Sequence, residues 1–341
     1  MRDEPDGTPL LHLTPYELSV LAFGSIAFGL FLLIKGGDWT IESAIYIAER
    51  AGLSPLFIGA TVISFGTSVP ELFASVNANI SGFPGIALGN VIGSNIANIL
   101  LVLGATAIVF AVGARPKAIA KDLAMMLLAT AILLAGMMMG QFSFLFGAGM
   151  FLVLIGFVAY QYCTDSIDLE EAVHEGDDED GPSITSTQQA LLVLGGGLAA
   201  LLVGSELLVQ GAVSAGTALG VPDAVIGLTV VAFGTSLPEL STCVAAARKQ
   251  ATGLILGNII GSNTFNIMSI VAVTALFKPL DVDPTLVGWD MWFLAALSVI
   301  FAIWMLTVGK LTRMTGSIML AIYVMFVVSQ YVGAMPGGAG I

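Results

Sequence analysis

Apolar residues run in ten long blocks, at roughly 18–40, 55–79, 86–110, 118–139, 143–163, 189–214, 224–247, 254–276, 286–308 and 314–333. Each block approaches the ~20 residues needed to cross a bilayer as an α-helix. The pattern therefore predicts an all-α polytopic membrane protein with ten transmembrane helices. Most connections are short. The one long polar stretch, 164–188, divides the chain into five spans and five spans. Residues 1–17 are acidic and rich in proline, without the basic start and short apolar core of a cleaved leader. The first block is accordingly expected to be a retained span.

The two halves repeat one another. GATVISFGTSVPELFASVNANISGFPGIALGNVIGSNIANI (59–99) aligns without a gap with GLTVVAFGTSLPELSTCVAAARKQATGLILGNIIGSNTFNI (227–267), 168 residues later, with 22 identities in 41 positions. Five is an odd number, so two five-span halves in series enter the membrane from opposite sides. The basic residues follow that inversion. Arg50, Arg115, Lys117, Lys121, Arg248, Lys249, Lys310 and Arg313 fall in loops on one side, and Arg2 and Lys278 on the other. By the positive-inside rule the basic-rich side is cytoplasmic. The expected organisation is an extracellular segment 1–17, a first five-helix repeat 18–163 with its motif at 59–99, an acidic cytoplasmic linker 164–188, a second repeat 189–333 with its motif at 227–267, and an extracellular tail 334–341. Inverted repeats are a transporter architecture, with the substrate site near the midplane where the repeats meet.

Composition agrees with the membrane assignment. The chain is 57% apolar and 10% charged, with a mean hydropathy of +0.95, too few charges for the surface of a soluble protein this long. The net charge of −13 reflects one region, since nine of the 24 acidic residues lie in 164–180. That loop reads as a solvated linker, too short for a folded sensor domain. Cys163 and Cys243 fit neither a metal spacing nor a disulfide framework, and His12 and His174 lie outside the spans. No Ser/His, His/Glu or paired-Asp catalytic set occurs in the apolar blocks, so an enzyme is not expected. Nor is a cofactor, a nucleic acid or an obligatory protein partner.

The chemistry concentrates in FGTSVPEL (65–72) and its copy FGTSLPEL (233–240). Pro70 and Pro238 lack an N–H and clash with the carbonyl four residues earlier, so spans 2 and 7 are expected to be discontinuous. Carbonyl oxygens freed around 64–67 and 232–235 are tolerated at membrane depth only in a protein interior or a wet cavity. Glu71 and Glu239 add charge where an ionised carboxylate costs at least ~2.5 kcal/mol. Spans 2, 3, 7 and 8 offer no Lys or Arg in their apolar interiors, which leaves a cation, a proton or a protonated structural role for the pair.

The second motif carries two stripes. Gly85, Gly89 and Gly93, repeated as Gly253, Gly257 and Gly261, predict close helix packing. Asn90, Ser94 and Asn98, repeated as Asn258, Ser262 and Asn266, read as site lining or interhelical hydrogen bonding. Carboxylates, hydroxyls of Thr67, Ser68, Ser94, Thr235, Ser236 and Ser262, amides and carbonyls are all hard donors, suited to Ca²⁺ and Na⁺. Two carboxylates balance one Ca²⁺, or neutralise Na⁺. One site that holds either cargo but not both gives counter-transport.

GTSVPEL with GNVIGSNIANI, and GTSLPEL with GNIIGSNTFNI, resemble the α1 and α2 repeats of the cation/calcium exchanger superfamily, most closely its prokaryotic sodium/calcium exchangers. The resemblance implies that Glu71 and Glu239 bind Ca²⁺ with backbone carbonyls of Thr67 and Thr235. It implies Na⁺ sites that also use Ser68, Ser94, Ser236 and Ser262 and carbonyls near Ser64 and Ala232, with Asn98 and Asn266 completing the centre. It further implies that spans 1 and 6 slide against the other eight, and that about three Na⁺ exchange for one Ca²⁺. Asn266 stands where potassium-dependent members carry aspartate, which implies exchange without K⁺. An H⁺/Ca²⁺ antiporter and a passive cation channel are the alternatives. The implied location is the plasma membrane of a prokaryote.

Overall fold

A computed structural model describes residues 15–164, 184–218, 234–282 and 287–334. The helices are α1 (Pro15–Ala51), α2 (Pro55–Thr67), α3 (Val69–Ile80), α4 (Pro84–Val109), α5 (Pro116–Met138), α6 (Phe144–Thr164), α7 (Thr187–Ala218), α8 (Leu237–Arg248), α9 (Thr252–Phe277), α10 (Trp289–Thr307) and α11 (Arg313–Ala334). Among the described residues, eight helices are long and apolar enough to cross a membrane, or nine if α2 and α3 form one bent span. The ten predicted spans are thus reached only in part, because the first half of predicted span 7 (224–233) lies outside the described residues. So do most of the acidic linker and the two terminal segments.

The first helix runs well past its predicted end at 40, through Ala51. Residues 41–51 (IESAIYIAERA) include Glu42, Glu49 and Arg50, which lower the hydropathy. Glutamate, alanine and arginine nevertheless favour helix, so the helix outlasts the apolar block.

At the centre stand α4 and α9. Their most apolar windows are 78% and 83% buried, whereas those of the other long helices range from 6% to 44%. The outer helices turn large apolar side chains outward, such as Leu145 and Leu192 at 79% and 77% exposure. That is the surface a bilayer requires.

Long helices α1 and α7 pack along each other through glycines. A Cβ on Gly29 would lie 2.6 Å from the Gly204 carbonyl oxygen, and one on Gly36 would lie 2.9 Å from that of Gly197. The repeat offset converts the first contact into the second, since Gly29 corresponds to Gly197 and Gly36 to Gly204. Without side chains in the way, the backbones meet as in a small-residue membrane contact.

Two short strand pairs tie the loops. β1 (Val112–Gly113) pairs antiparallel with β4 (Lys310–Leu311), and β2 (Gln141–Phe142) with β3 (Leu280–Asp281). The loops after α4 and α10 therefore share one end of the molecule, and those after α5 and α9 share an end.

Candidate functional site

Both copies of GTS-x-PEL build the same local break. Ser68 has φ −84° and ψ 5°, Ser236 has φ −89° and ψ 4°, and each precedes a fresh helix whose second residue is Pro70 or Pro238. Proline is tolerated there because its missing N–H would have had no intrahelical acceptor. Across Ser68, α2 and α3 bend by 44°. Glu71 and Glu239 fall in the first turns of α3 and α8, where the partial positive charge of a helix N-terminus favours a carboxylate.

The carbonyls around the breaks are less free than the prolines suggest. Ser64 O accepts from Ser68 N at 3.1 Å. In the second copy Ser205 Oγ, on α7, donates to Gly234 O at 2.6 Å. Expected ligand Ala232 lies outside the described residues.

From opposite halves, the breaks converge. Ser68 Oγ, in the first half, donates to Glu239 Oε1, in the second, at 3.4 Å. Glu71 is 1% exposed and Glu239 fully buried. Asn98 and Asn266 are equally buried, and each opens a π-turn, Asn98–Val102 in α4 and Asn266–Val271 in α9. Such turns recur at functional sites.

These side chains hold buried polar atoms without a hydrogen-bond partner: both oxygens of Glu71, Oε2 of Glu239, Oγ of Ser236, and both amide atoms of Asn98 and Asn266. A buried polar atom without a partner costs ~1–3 kcal/mol, more if charged. The turn opened by Asn98 packs on α8, which carries Glu239, and the turn opened by Asn266 packs on α3, which carries Glu71, so these unpartnered atoms mark a site shaped for something else to bind. The donors are mostly oxygens, and the nearby Cys243 is engaged by Asn258 Nδ2 at 3.4 Å. Among the described residues, no three His, Cys, Asp or Glu side chains cluster. The set fits a hard cation or a proton, with Na⁺ and Ca²⁺ as the natural hard cations.

Other predicted residues point elsewhere. Ser64 Oγ donates to Gly59 O at 2.7 Å and crosses to Asn258 O at 3.0 Å. Ser94 Oγ donates to Asn90 O at 2.5 Å, Ser262 Oγ to Asn258 Oδ1 at 3.4 Å, and Thr67 Oγ1 to Ile63 O at 3.1 Å. Thr235 is half-buried.

Asn90 and Asn258 act as braces. Asn90 Nδ2 donates to Glu71 O at 3.2 Å and Ser75 Oγ at 3.0 Å, and Asn258 Nδ2 donates to Thr242 Oγ1 at 2.9 Å. Ser75 and Thr242 escaped the sequence reading. Their signal is their position, three or four residues after a glutamate and so on its helix face.

The glycine stripe of α9 lies on α2. A Cβ would stand 3.2 Å from Leu56 N at Gly253, would collide with Leu56 O at Gly257 and would stand 2.5 Å from Ala60 O at Gly261. In α4, Gly89 and Gly93 have nothing within 4 Å among the described residues. The stretch that the repeat offset would set opposite them and Gly85, 223–228, lies outside those residues.

The family model described as "Sodium/calcium exchanger protein" matches residues 21–163 and 189–332. The chain is 36% identical over 314 residues to an uncharacterized membrane protein of Methanocaldococcus jannaschii, covering 92% of this chain and 99% of the relative. It is 31% identical to the sodium/calcium exchanger MaX1 of Methanosarcina acetivorans, covering 88% and 95% respectively. Its structure is similar to that of the sodium-calcium exchanger NCX_Mj, with a TM-score of 0.77, 35% identity, and coverage of 91% of this chain and 98% of the other.

Proposed function

This chain belongs to the sodium/calcium exchanger protein family, and from that premise we propose that it is an antiporter moving Ca²⁺ across the membrane against Na⁺ by alternating access. The observation that carries this reading is the meeting of the two breaks, where Ser68 of one half donates to Glu239 of the other, together with the unpartnered oxygens of Glu71, Glu239, Asn98, Asn266 and Ser236 on elements that pack there.

In this reading Glu71 and Glu239, with carbonyls of Thr67 and Thr235, hold Ca²⁺. The same carboxylates hold Na⁺ with Ser68, Ser94, Ser236, Ser262 and carbonyls near Ser64 and Ala232. Ca²⁺ and Na⁺ compete because the two carboxylates can neutralise one divalent ion or two monovalent ions, not both at once. Three Na⁺ per Ca²⁺ carries one net charge per cycle, and K⁺ takes no part.

The two halves are inverted repeats of five helices, 18–163 and 189–333, with both termini outside the plasma membrane and the acidic linker inside. Strand pairing supports the inversion. The loop after α4 corresponds in the repeat to the loop after α9, and the loop after α5 to that after α10, so β1–β4 and β2–β3 are the same pairing made once at each end. The glycine contacts between α1 and α7 support their sliding as one body against the remaining helices.

The test is Ca²⁺ uptake into vesicles containing the purified chain. Uptake is expected with an outward Na⁺ gradient, without K⁺, and saturates with Ca²⁺. Uptake driven by a pH gradient but not by Na⁺ would overturn the assignment in favour of H⁺ exchange. Unsaturable flux would favour a channel.

A further inference from the structure

The half-helices that carry the two glutamates are fastened differently. At the far end of α8, Arg248 Nη1 lies 3.7 Å from Asp38 Oδ1 on α1, with the two side chains 53% and 35% exposed. Closer to the break, Ser241 Oγ donates to the Leu33 carbonyl of α1. A Cβ on Gly37 would stand 2.8 Å from that same Ser241 Oγ, so the α1 backbone lies directly on α8. A cavity of about 160 Å³ separates the helices beside these contacts, walled by Leu30, Leu33 and Ile34 on one side and Leu237, Leu240 and Val244 on the other.

The repeat offset tells what the mirror contact would be. Asp38 corresponds to Glu206, Arg248 to Ile80, Ser241 to Phe73 and Leu33 to Leu201. Ile80 and Phe73 have no charge or hydroxyl, and both are exposed. Glu206 bonds along its own helix, to Gln210. The end of α3 is bonded to the end of α9, where Asn79 Nδ2 donates to Lys278 O at 2.8 Å and Lys278 Nζ donates to Asn79 O at 3.2 Å, while α8 meets the corresponding end of α4 through apolar packing.

We infer that Asp38–Arg248, with the Ser241–Leu33 hydrogen bond, is a one-sided latch that holds α1 against α8 and favours the state closed at the Arg248 end. This rests on the reading above, in which α1 and α7 slide and the Arg248 end is cytoplasmic. Two identical inverted halves would make the outward- and inward-facing states mirror images of equal free energy. A contact present in only one half tilts that balance. An exposed ion pair contributes a factor of about 1.4–5 to an equilibrium, and the apparent affinity on each face scales with the population open to it.

The test uses the full chain reconstituted in vesicles. Arg248→Gln and Asp38→Asn are each expected to lower the half-saturating Ca²⁺ concentration at the cytoplasmic face by a factor of about 1.4–5, with no such gain at the extracellular face. Ser241→Ala should act in the same direction. Exchanging the charges (Asp38→Arg with Arg248→Asp) should restore the original value. Equal changes on both faces, or none, would overturn the latch.

A second readout does not depend on transport. Spin labels at Glu49→Cys on α1 and Lys117→Cys on α5, in a Cys163→Ser background, should report a second α1–α5 distance in Arg248→Gln that disappears in the charge exchange. An unchanged distance distribution refutes the latch whatever the flux. Absence of Na⁺-driven Ca²⁺ flux in the unmodified chain would instead sink the exchange reading, and the distances would still decide the latch.

Discussion

Glu71 and Asn90 illustrate how far single residues can be read. A carboxylate after a helix breaker in apolar sequence, copied 168 residues on, calls for a partner on residue type and spacing alone. Glu71→Gln keeps the shape and removes the charge. It is expected to reduce Ca²⁺ exchange about 100-fold or more, equivalent to ~3 kcal/mol for a buried charge separated from its partner, while the protein elutes as a folded species. Unchanged vesicle uptake would refute its role. Asn90 sits on the same helical stripe as Asn98, which made both look like site lining. The structure separates them, because Asn90 bonds to Glu71 O and Ser75 Oγ while the Asn98 amide is left without a partner. Stripe membership gives a face; a side chain's partner depends on what the neighbouring helix offers. Asn90→Ala is expected to lower stability by ~1–3 kcal/mol, measured by thermal unfolding in detergent, and wild-type stability would contradict the brace.

At the scale of the element, apolar blocks mark where the described helices lie better than where they end. Hydropathy finds the apolar middle of a helix and misses its charged continuation, as in the Glu42–Arg50 stretch of α1. The proline breaks were predicted, yet the break falls at Ser68 and Ser236, and the π-turns at Asn98 and Asn266 left no sign in the sequence. A π-turn requires one extra residue in a turn, which composition does not mark. The glycines of α1 and α7 carry no such mark either, because glycine in an apolar block means little until a second helix approaches. Gly29→Val should force the helices apart at the Gly204 carbonyl, 2.6 Å from the new Cβ. Overpacking of this kind costs ~1–3 kcal/mol. The expected result is a lower unfolding temperature and slower exchange, and a variant with wild-type values of both would refute the α1–α7 contact.

The whole molecule, in the proposed cycle, moves net charge across the membrane. If one net charge moves per cycle, a membrane potential of 100 mV is worth ~2.3 kcal/mol and should change the Ca²⁺ ratio at equilibrium roughly 50-fold. Vesicles clamped at two potentials measure this directly, and an unmoved ratio would rule out the three-for-one count. What the sequence determined alone follows from local chemistry and duplication: a membrane environment, a repeated motif, an odd number of predicted spans per half, and oxygen donors around two glutamates. Those readings need only residue type and spacing, which survive without coordinates. Tertiary structure decided which donors stay unpartnered and which turn to backbone, that Ser205 takes the Gly234 carbonyl, and that α8 is tied to α1 while α3 is tied to α9. Each of these depends on residues far apart in the chain meeting at hydrogen-bond distance, and no pattern along one strand of sequence contains that distance.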